Sequence, residues 1–188
     1  MRIVGGKFRG KTLQAPPGPD TRPTSDRARE SIFNILAHGK AAIDLDGISV
    51  LDLFCGTGAL GLEAMSRGAG HGLFADRDAE ALRVARANAA SMGLWRDSRH
   101  LRLDGAHLGP PPRAAKAPYD LVFMDPPYHS GLVLPALLSL GGKGWIRPGT
   151  VLVVEVAADE AFAAPRGYEQ LDERTYGAAK VHFLKKLP

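Results

Sequence analysis

The chain has 188 residues, a formal net charge of +4, and 45% hydrophobic against 23% charged residues. That is the length of one domain with a real core, because a chain near this size buries about 70% of the surface its unfolded form exposes. A single cysteine excludes an internal disulfide or a cysteine-rich zinc scaffold and points to a reducing, cytoplasmic setting, and no stretch approaches the roughly 20 apolar residues of a membrane span.

The charge is unevenly spread. Residues 1–40 hold eight Lys/Arg against three acids, a net of +5, and the remainder of the chain is −1. A concentrated basic segment is what binding a phosphate backbone needs. Residues 1–15 read as a basic hairpin, with Arg2-Ile3-Val4 and Lys11-Thr12-Leu13 flanking a glycine-rich turn. Residues 16–23 carry four prolines and cannot be regular structure. A helix follows, capped by Thr24 or Ser25, with Ala28, Ile32, Ile35 and Leu36 on one face, and it ends near His38-Gly39.

From residue 48 strands alternate with helices. Strands are expected at 48–54, 72–76, 100–103, 119–124 and 150–156, and helices at 59–67, 78–92 and 132–140. Two late strands, 168–175 and 180–186, meet at the turn Tyr176-Gly177-Ala178 and suggest an antiparallel edge. Alternation with near-continuous apolar strands predicts an α/β fold whose mostly parallel sheet is covered on both faces. The expected organisation is a basic hairpin-and-helix module over 1–40 and a ligand-binding domain over 41–188.

Three strand ends carry the chemistry. The first runs Asp52-Leu53-Phe54-Cys55-Gly56-Thr57-Gly58-Ala59-Leu60-Gly61, a strand, a glycine turn and a helix start. Gly56, Gly58 and Gly61 satisfy a dinucleotide pattern, and Asp76 ends the next strand where a ribose-binding carboxylate is expected. Asp52 would repel a pyrophosphate, but it suits a nucleoside cofactor that carries positive charge, such as S-adenosylmethionine. The second is Asp125-Pro126-Pro127-Tyr128, on the same rim of the sheet. Two prolines make a rigid turn that aims the Asp125 carboxylate and nearby carbonyls at one point, and Tyr128 offers a ring face. Acceptors beside an aromatic platform suit the exocyclic amine of a nucleobase. The third, Asp104-Gly105-Ala106, can accept a hydrogen bond from adenine or simply turn the chain.

With these residues assembled, the sequence resembles class I S-adenosylmethionine-dependent methyltransferases, and in particular the bacterial 16S ribosomal RNA guanine-N2 methyltransferase family (RsmD). The stretches Arg2–Lys11 and Arg22–Asn34, the glycine loop and Asp125–Tyr128 carry the resemblance over essentially the whole chain. It implies a Rossmann-like seven-stranded sheet with its last strand antiparallel. It also implies one methyl group transferred from S-adenosylmethionine, leaving S-adenosylhomocysteine, to the N2 amine of a guanine in 16S rRNA. Asp125, Pro126, Pro127 and Tyr128 would form the catalytic set. Asp52, Phe54, Gly56, Gly58, Asp76, Arg77, Asp104 and Ala106 would hold the cofactor, and Gly105 departs from the family's pattern at the adenine site. Arg2, Lys7, Arg9, Lys11, Arg22, Arg27 and Arg29 would hold RNA, within the small subunit or an assembly intermediate. A cytoplasmic monomer that needs no metal is expected. The rival readings are a DNA adenine-N6 or cytosine-N4 methyltransferase, a non-catalytic RNA-binding protein on the same fold and, more distantly, an NAD-dependent reductase. Cys55 is expected to pack under the loop, Glu155 to close the cofactor rim, Trp95 and Trp145 to sit in the core, and His129 to face solvent.

Overall fold

The computed structural model describes residues 1–17 and 24–188. Apolar residues at helical spacing, with Ser25 accepting from the Ala28 N–H as N-cap, form α1 (Asp26–His38). Strands and helices then alternate as β1 (Ser49–Leu53), α2 (Ala59–Ser66), β2 (His71–Asp76), α3 (Ala79–Ser91), β3 (Ser98–Arg102), β4 (Tyr119–Met124), α4 (Val133–Gly142) and β5 (Ile146–Ala157). The chain closes with β6 (Tyr168–Tyr176) and β7 (Ala179–Lys186). All seven strands share one sheet in the order β3-β2-β1-β4-β5-β7-β6. Pairing is parallel from β3 through β5, whereas β7 runs antiparallel to both of its neighbours.

Side chains alternate across the sheet, and so its apolar strands feed two cores. Val50, Phe74, Leu121, Phe123 and Phe183 pack with buried residues of α1, α2 and α3 on one face. Leu51, Leu53, Val122, Met124 and Leu152 pack with α4 and Trp145 on the other. The expected elements are present with shifted ends. β5 starts four residues early, because Ile146 pairs with Tyr119 across an irregularity that accommodates Pro148 and Gly149. Trp95 departs from its expected core position: it is 62% exposed, with the Arg96 guanidinium over its ring. Trp145 is in the core as expected.

The N-terminal segment differs most from its reading. The expected strand pair reduces to one isolated bridge, Arg2 with Thr12, closed by a glycine-rich loop. What holds the segment is burial and one carboxylate. Ile3 and Leu13 are buried in the same core as α1 and the sheet. Glu63 of α2, with no exposed surface, accepts the Val4 and Gly5 N–H groups at 3.0 and 2.8 Å. It also accepts from Arg67 at 2.9 Å and pairs with the buried Arg29 of α1 at 3.5 Å. Arg29 in turn donates to the Thr24 carbonyl, the Arg2 carbonyl and Asp26. The expectation that Arg29 holds RNA is therefore corrected: its side chain has no exposed surface and its guanidinium is spent on the fold. Arg22 lies outside the described residues.

Removing one member of a buried ion pair strands the other charge. Glu63→Ala should therefore lower stability by about 3–5 kcal/mol, read from urea unfolding. The Val4 and Gly5 amides should lose hydrogen-exchange protection in that variant.

Candidate active site

In an open α/β sheet ligands bind beyond the carboxyl ends of strands, where the chain's order reverses. Here that point lies between β1 and β4, which are adjacent in the sheet while the chain proceeds outward from each. β1 delivers Asp52 and the glycine loop there, and β4 delivers Asp125. A cavity of about 670 Å³ opens over both strand ends. Its lining includes Asp52, Phe54, Gly56, Asp76, Arg77 and Asp104 together with Asp125, Pro126, Pro127 and Tyr128. The two sequence-predicted clusters therefore face one space. Of the remaining predicted cofactor residues, Gly58 makes the left-handed turn into α2 and Ala106 is buried.

The backbone of the loop is built around carboxylates. Asp52 is 2% exposed and accepts the Gly61 N–H at 2.9 Å. A Cβ at Gly61 would meet the Phe74 ring at 2.6 Å, so only glycine lets the helix approach this closely. Asp76 accepts the Gly56 and Asp78 N–H groups, which tie the loop to the end of β2. Phe54 adopts φ 64°, a strained conformation for a non-glycine residue and common at functional sites. Its ring leaves no room for a Cβ at Gly105, which would lie 2.6 Å from it. The glycine between Asp104 and Ala106 is thus required by Phe54. Asp104 itself is exposed and accepts from the Ala106 N–H, with His107 beside its other oxygen. The His107 hydrogen bond is the main cause that lowers the Asp104 pKa.

Burial pushes the Asp52 pKa up to about 8, aided by the charge of Asp76 and opposed by the Gly61 hydrogen bond. Asp125 is partly buried and lines the cavity. Loss of solvation on its other sides, with the charges of Glu155 and Asp52 nearby, raises its carboxyl well above the usual range, against a hydrogen bond from Thr24. Cys55 is buried beneath the loop as expected, and burial beside Asp52 and Asp76 raises its thiol well above its usual value, which makes it a poor nucleophile.

Two side chains make contacts that no sequence pattern announces. Glu155 of β5 does not close the cofactor side. It accepts the Tyr128 hydroxyl at 2.7 Å and the Thr24 hydroxyl at 3.1 Å, and so belongs to the Asp125 side. Asn88 of α3 clasps Gln14 in both directions and donates to the Thr57 carbonyl. That clasp lays Pro16 and Pro17 over the cavity, with Met1 beside them. The far tip of the N-terminal loop is elsewhere: the Lys7 N–H donates to the Ser66 carbonyl, at the opposite end of α2. Eight helical residues at 1.5 Å each make α2 about 12 Å long, so Lys7 is anchored roughly that far from the helix start. His129 is exposed, close to Asp159.

A family model described as "Conserved hypothetical protein 95" matches residues 1–185. The Escherichia coli K12 protein named "Ribosomal RNA small subunit methyltransferase D" is 34% identical over 99% of this chain and 90% of its own. The solved chain yhhF from Escherichia coli superposes with a TM-score of 0.82 at 28% identity, covering 100% of this chain and 98% of that one. An RNA methyltransferase from Salinibacter ruber, solved with S-adenosyl-L-homocysteine, shares the fold at a TM-score of 0.61 and 16% identity, over 88% and 94% of the two chains. The sheet and its helices are those of a class I methyltransferase.

A carboxyl raised in the folded state holds a proton that the unfolded chain gives up. The Asp52 contribution to stability is complete below about pH 4 and is lost as pH climbs to about 8. Asp52→Asn should therefore be more stable relative to the native chain at pH 8 than at pH 5, by thermal unfolding at both pH values.

Proposed function

The chain belongs to the family described as Conserved hypothetical protein 95, and from that premise we propose that it methylates the exocyclic N2 amine of one guanine in small-subunit ribosomal RNA. It is a methyltransferase that uses S-adenosylmethionine and acts on ribosomal RNA. The observation that carries the amine-methylation reading is the shared cavity, where a rigid Asp-Pro-Pro-Tyr turn faces a carboxylate-lined nucleoside site, and the match of the whole chain to a small-subunit rRNA methyltransferase supports guanine in rRNA over a DNA base.

The residues present fit the cofactor. Asp52 is a buried carboxylate that accepts one hydrogen bond and has no ion-pair partner among the described residues, and a positively charged ligand would favour its ionised form. Asp76 and Asp104 line the same cavity as acceptors for hydroxyl and amine groups, and Phe54 supplies an apolar ring. When bound, the cofactor supplies a methyl group activated by a positive sulfur.

The rest of the work belongs to the chain's own side chains. A guanine amine is a poor nucleophile because its lone pair is delocalised into the ring. The Asp125 carboxylate and the Pro126 carbonyl accept its two N–H bonds, which draws the nitrogen toward tetrahedral geometry and frees the lone pair. Accepting requires an ionised Asp125, and positive charge in the cavity lowers a carboxyl that burial and Glu155 otherwise raise. Tyr128, held by Glu155, carries the base on its ring. Alignment and electrostatics account for the acceleration. The excess proton leaves through Asp125 or to water.

The exposed cations of the N-terminal loop, Arg2, Lys7, Arg9 and Lys11, with Arg27 on α1, are the proposed RNA contacts of a cytoplasmic monomer acting on the small subunit or its precursor. Because Ile3 and Leu13 are buried, this role is tested by charge substitution and not by deletion.

Small-subunit particles lacking the modification, incubated with labelled S-adenosylmethionine, should yield N2-methylguanosine on nucleoside mass spectrometry, and duplex DNA should yield no labelled base. Label in DNA alone would overturn the reading. Asp125→Ala should lose about a hundred-fold or more in turnover while still binding cofactor by calorimetry.

Lys7→Gln with Arg9→Gln should weaken RNA binding and make the log–log salt slope shallower by about 1 for each phosphate no longer neutralised. An unchanged slope would remove these two residues from the interface.

A further inference from the structure

Beside the first cavity lies a second, of about 720 Å³, between α1 and the β6–β7 turn. It shares Thr24, Tyr128 and no strand-end aspartate with the first, and among the described residues none of its lining comes from the glycine loop. The partition between the two is the hydrogen-bonded bridge from Thr24 through Glu155 to Tyr128. Its volume lies within the roughly 300–1,000 Å³ of pockets that hold small ligands.

The walls of this chamber carry nucleotide chemistry. Tyr176 presents an aromatic ring, held by a 2.8 Å hydrogen bond between its hydroxyl and that of Ser31. Arg27 lies one helical turn before Ser31, is exposed, and has no ion-pair partner among the described residues. Glu155 accepts one hydroxyl on each oxygen, while a carboxylate has about four acceptor sites. Guanine presents N1–H and N2–H donors side by side, and adenine and cytosine present a ring acceptor at that edge. A buried carboxylate therefore favours guanine over both.

Position agrees with chemistry. Displacement at a methyl group is in line, so the attacking nitrogen approaches the methyl carbon from the side away from the leaving sulfur. The glycine loop, Asp52 and Asp76 define the cofactor side, and the second chamber lies across the bridge from them. We propose that this chamber seats the unstacked guanine nucleotide, its base against Tyr128, which both cavities share, so that the N2 amine reaches the Asp125 side, with Tyr176 stacking on the base, Glu155 accepting from its N1–H and Arg27 pairing with its phosphate. The proposal rests on the guanine-methyltransferase reading and adds the residues that select and hold the substrate.

The test uses the full chain with small-subunit particles lacking the modification. Tyr176→Ala should lower kcat/KM for the RNA substrate about ten-fold or more, as loss of one base–aromatic stack implies. Its calorimetric affinity for S-adenosylmethionine should stay near that of the native chain, while the lost packing and the lost Ser31 bond lower its thermal midpoint modestly. Tyr176→Phe, which keeps the ring and loses the Ser31 bond, should restore most of kcat/KM. Glu155→Gln should likewise lose RNA turnover with cofactor affinity retained. Native kcat/KM in Tyr176→Ala, or no rescue by phenylalanine, would overturn the proposal. Failure of the native chain to methylate any guanine would overturn the functional reading instead.

Discussion

Glu63 is the contact on which the arrangement turns. A carboxylate with no exposed surface is costly unless its partners repay the lost hydration. Its partners here are two backbone amides of the N-terminal loop and the guanidinium groups of Arg29 and Arg67. One side chain thus fastens the chain's start, α1 and α2 to each other. Because Arg29 also takes the Thr24 carbonyl, the same network sets where α1 begins and so where the Thr24 hydroxyl meets Glu155. The catalytic rim inherits its geometry from a packing contact on α2, a helix that starts at the rim and ends on the opposite edge of the sheet.

The site itself is crowded with acids. Asp52, Asp76, Asp104 and Asp125 face the first cavity and Glu155 the second, so the pocket's own field opposes an RNA backbone. Of the proposed RNA contacts only Arg27 lines either cavity, and Lys7 is anchored at the far end of α2. With the tip of the N-terminal loop held at the far end of α2, an anionic polymer and a cationic cofactor can be served by one short chain.

Much of this is legible in the sequence, and the exceptions have a common cause. Strands such as Tyr119–Met124 are apolar almost throughout and announce themselves. The glycine loop and the Asp-Pro-Pro-Tyr turn are contiguous, and strand order alone brings them together. Thr24 and Glu155 are separated by 131 residues and Gln14 and Asn88 by 74, and no local pattern links them. Arg29 shows the limit of counting charge, because a basic residue in a basic segment looks like an RNA contact until its burial is seen. A signal was present at the other end of that pair: Glu63 is the lone charge within the otherwise apolar run Ala59–Ser66, where an acid needs a buried partner. Gly105 is a similar case, since its necessity lies in the Phe54 ring, which meets it from another strand end.

The reversed direction of β7 has a consequence for how such a protein can diversify. In a wholly parallel sheet every connection at the catalytic edge leads into a helix, and altering it disturbs the core beneath. Here one connection is a hairpin of two residues, Gly177 and Ala178, with Gly177 at φ 58° in the position a tight turn reserves for glycine. Lengthening such a loop costs only about 0.6 kcal/mol per doubling. The substrate side of the molecule can therefore acquire new reach by insertion at a single exposed turn, while the half that grips the cofactor keeps its shape.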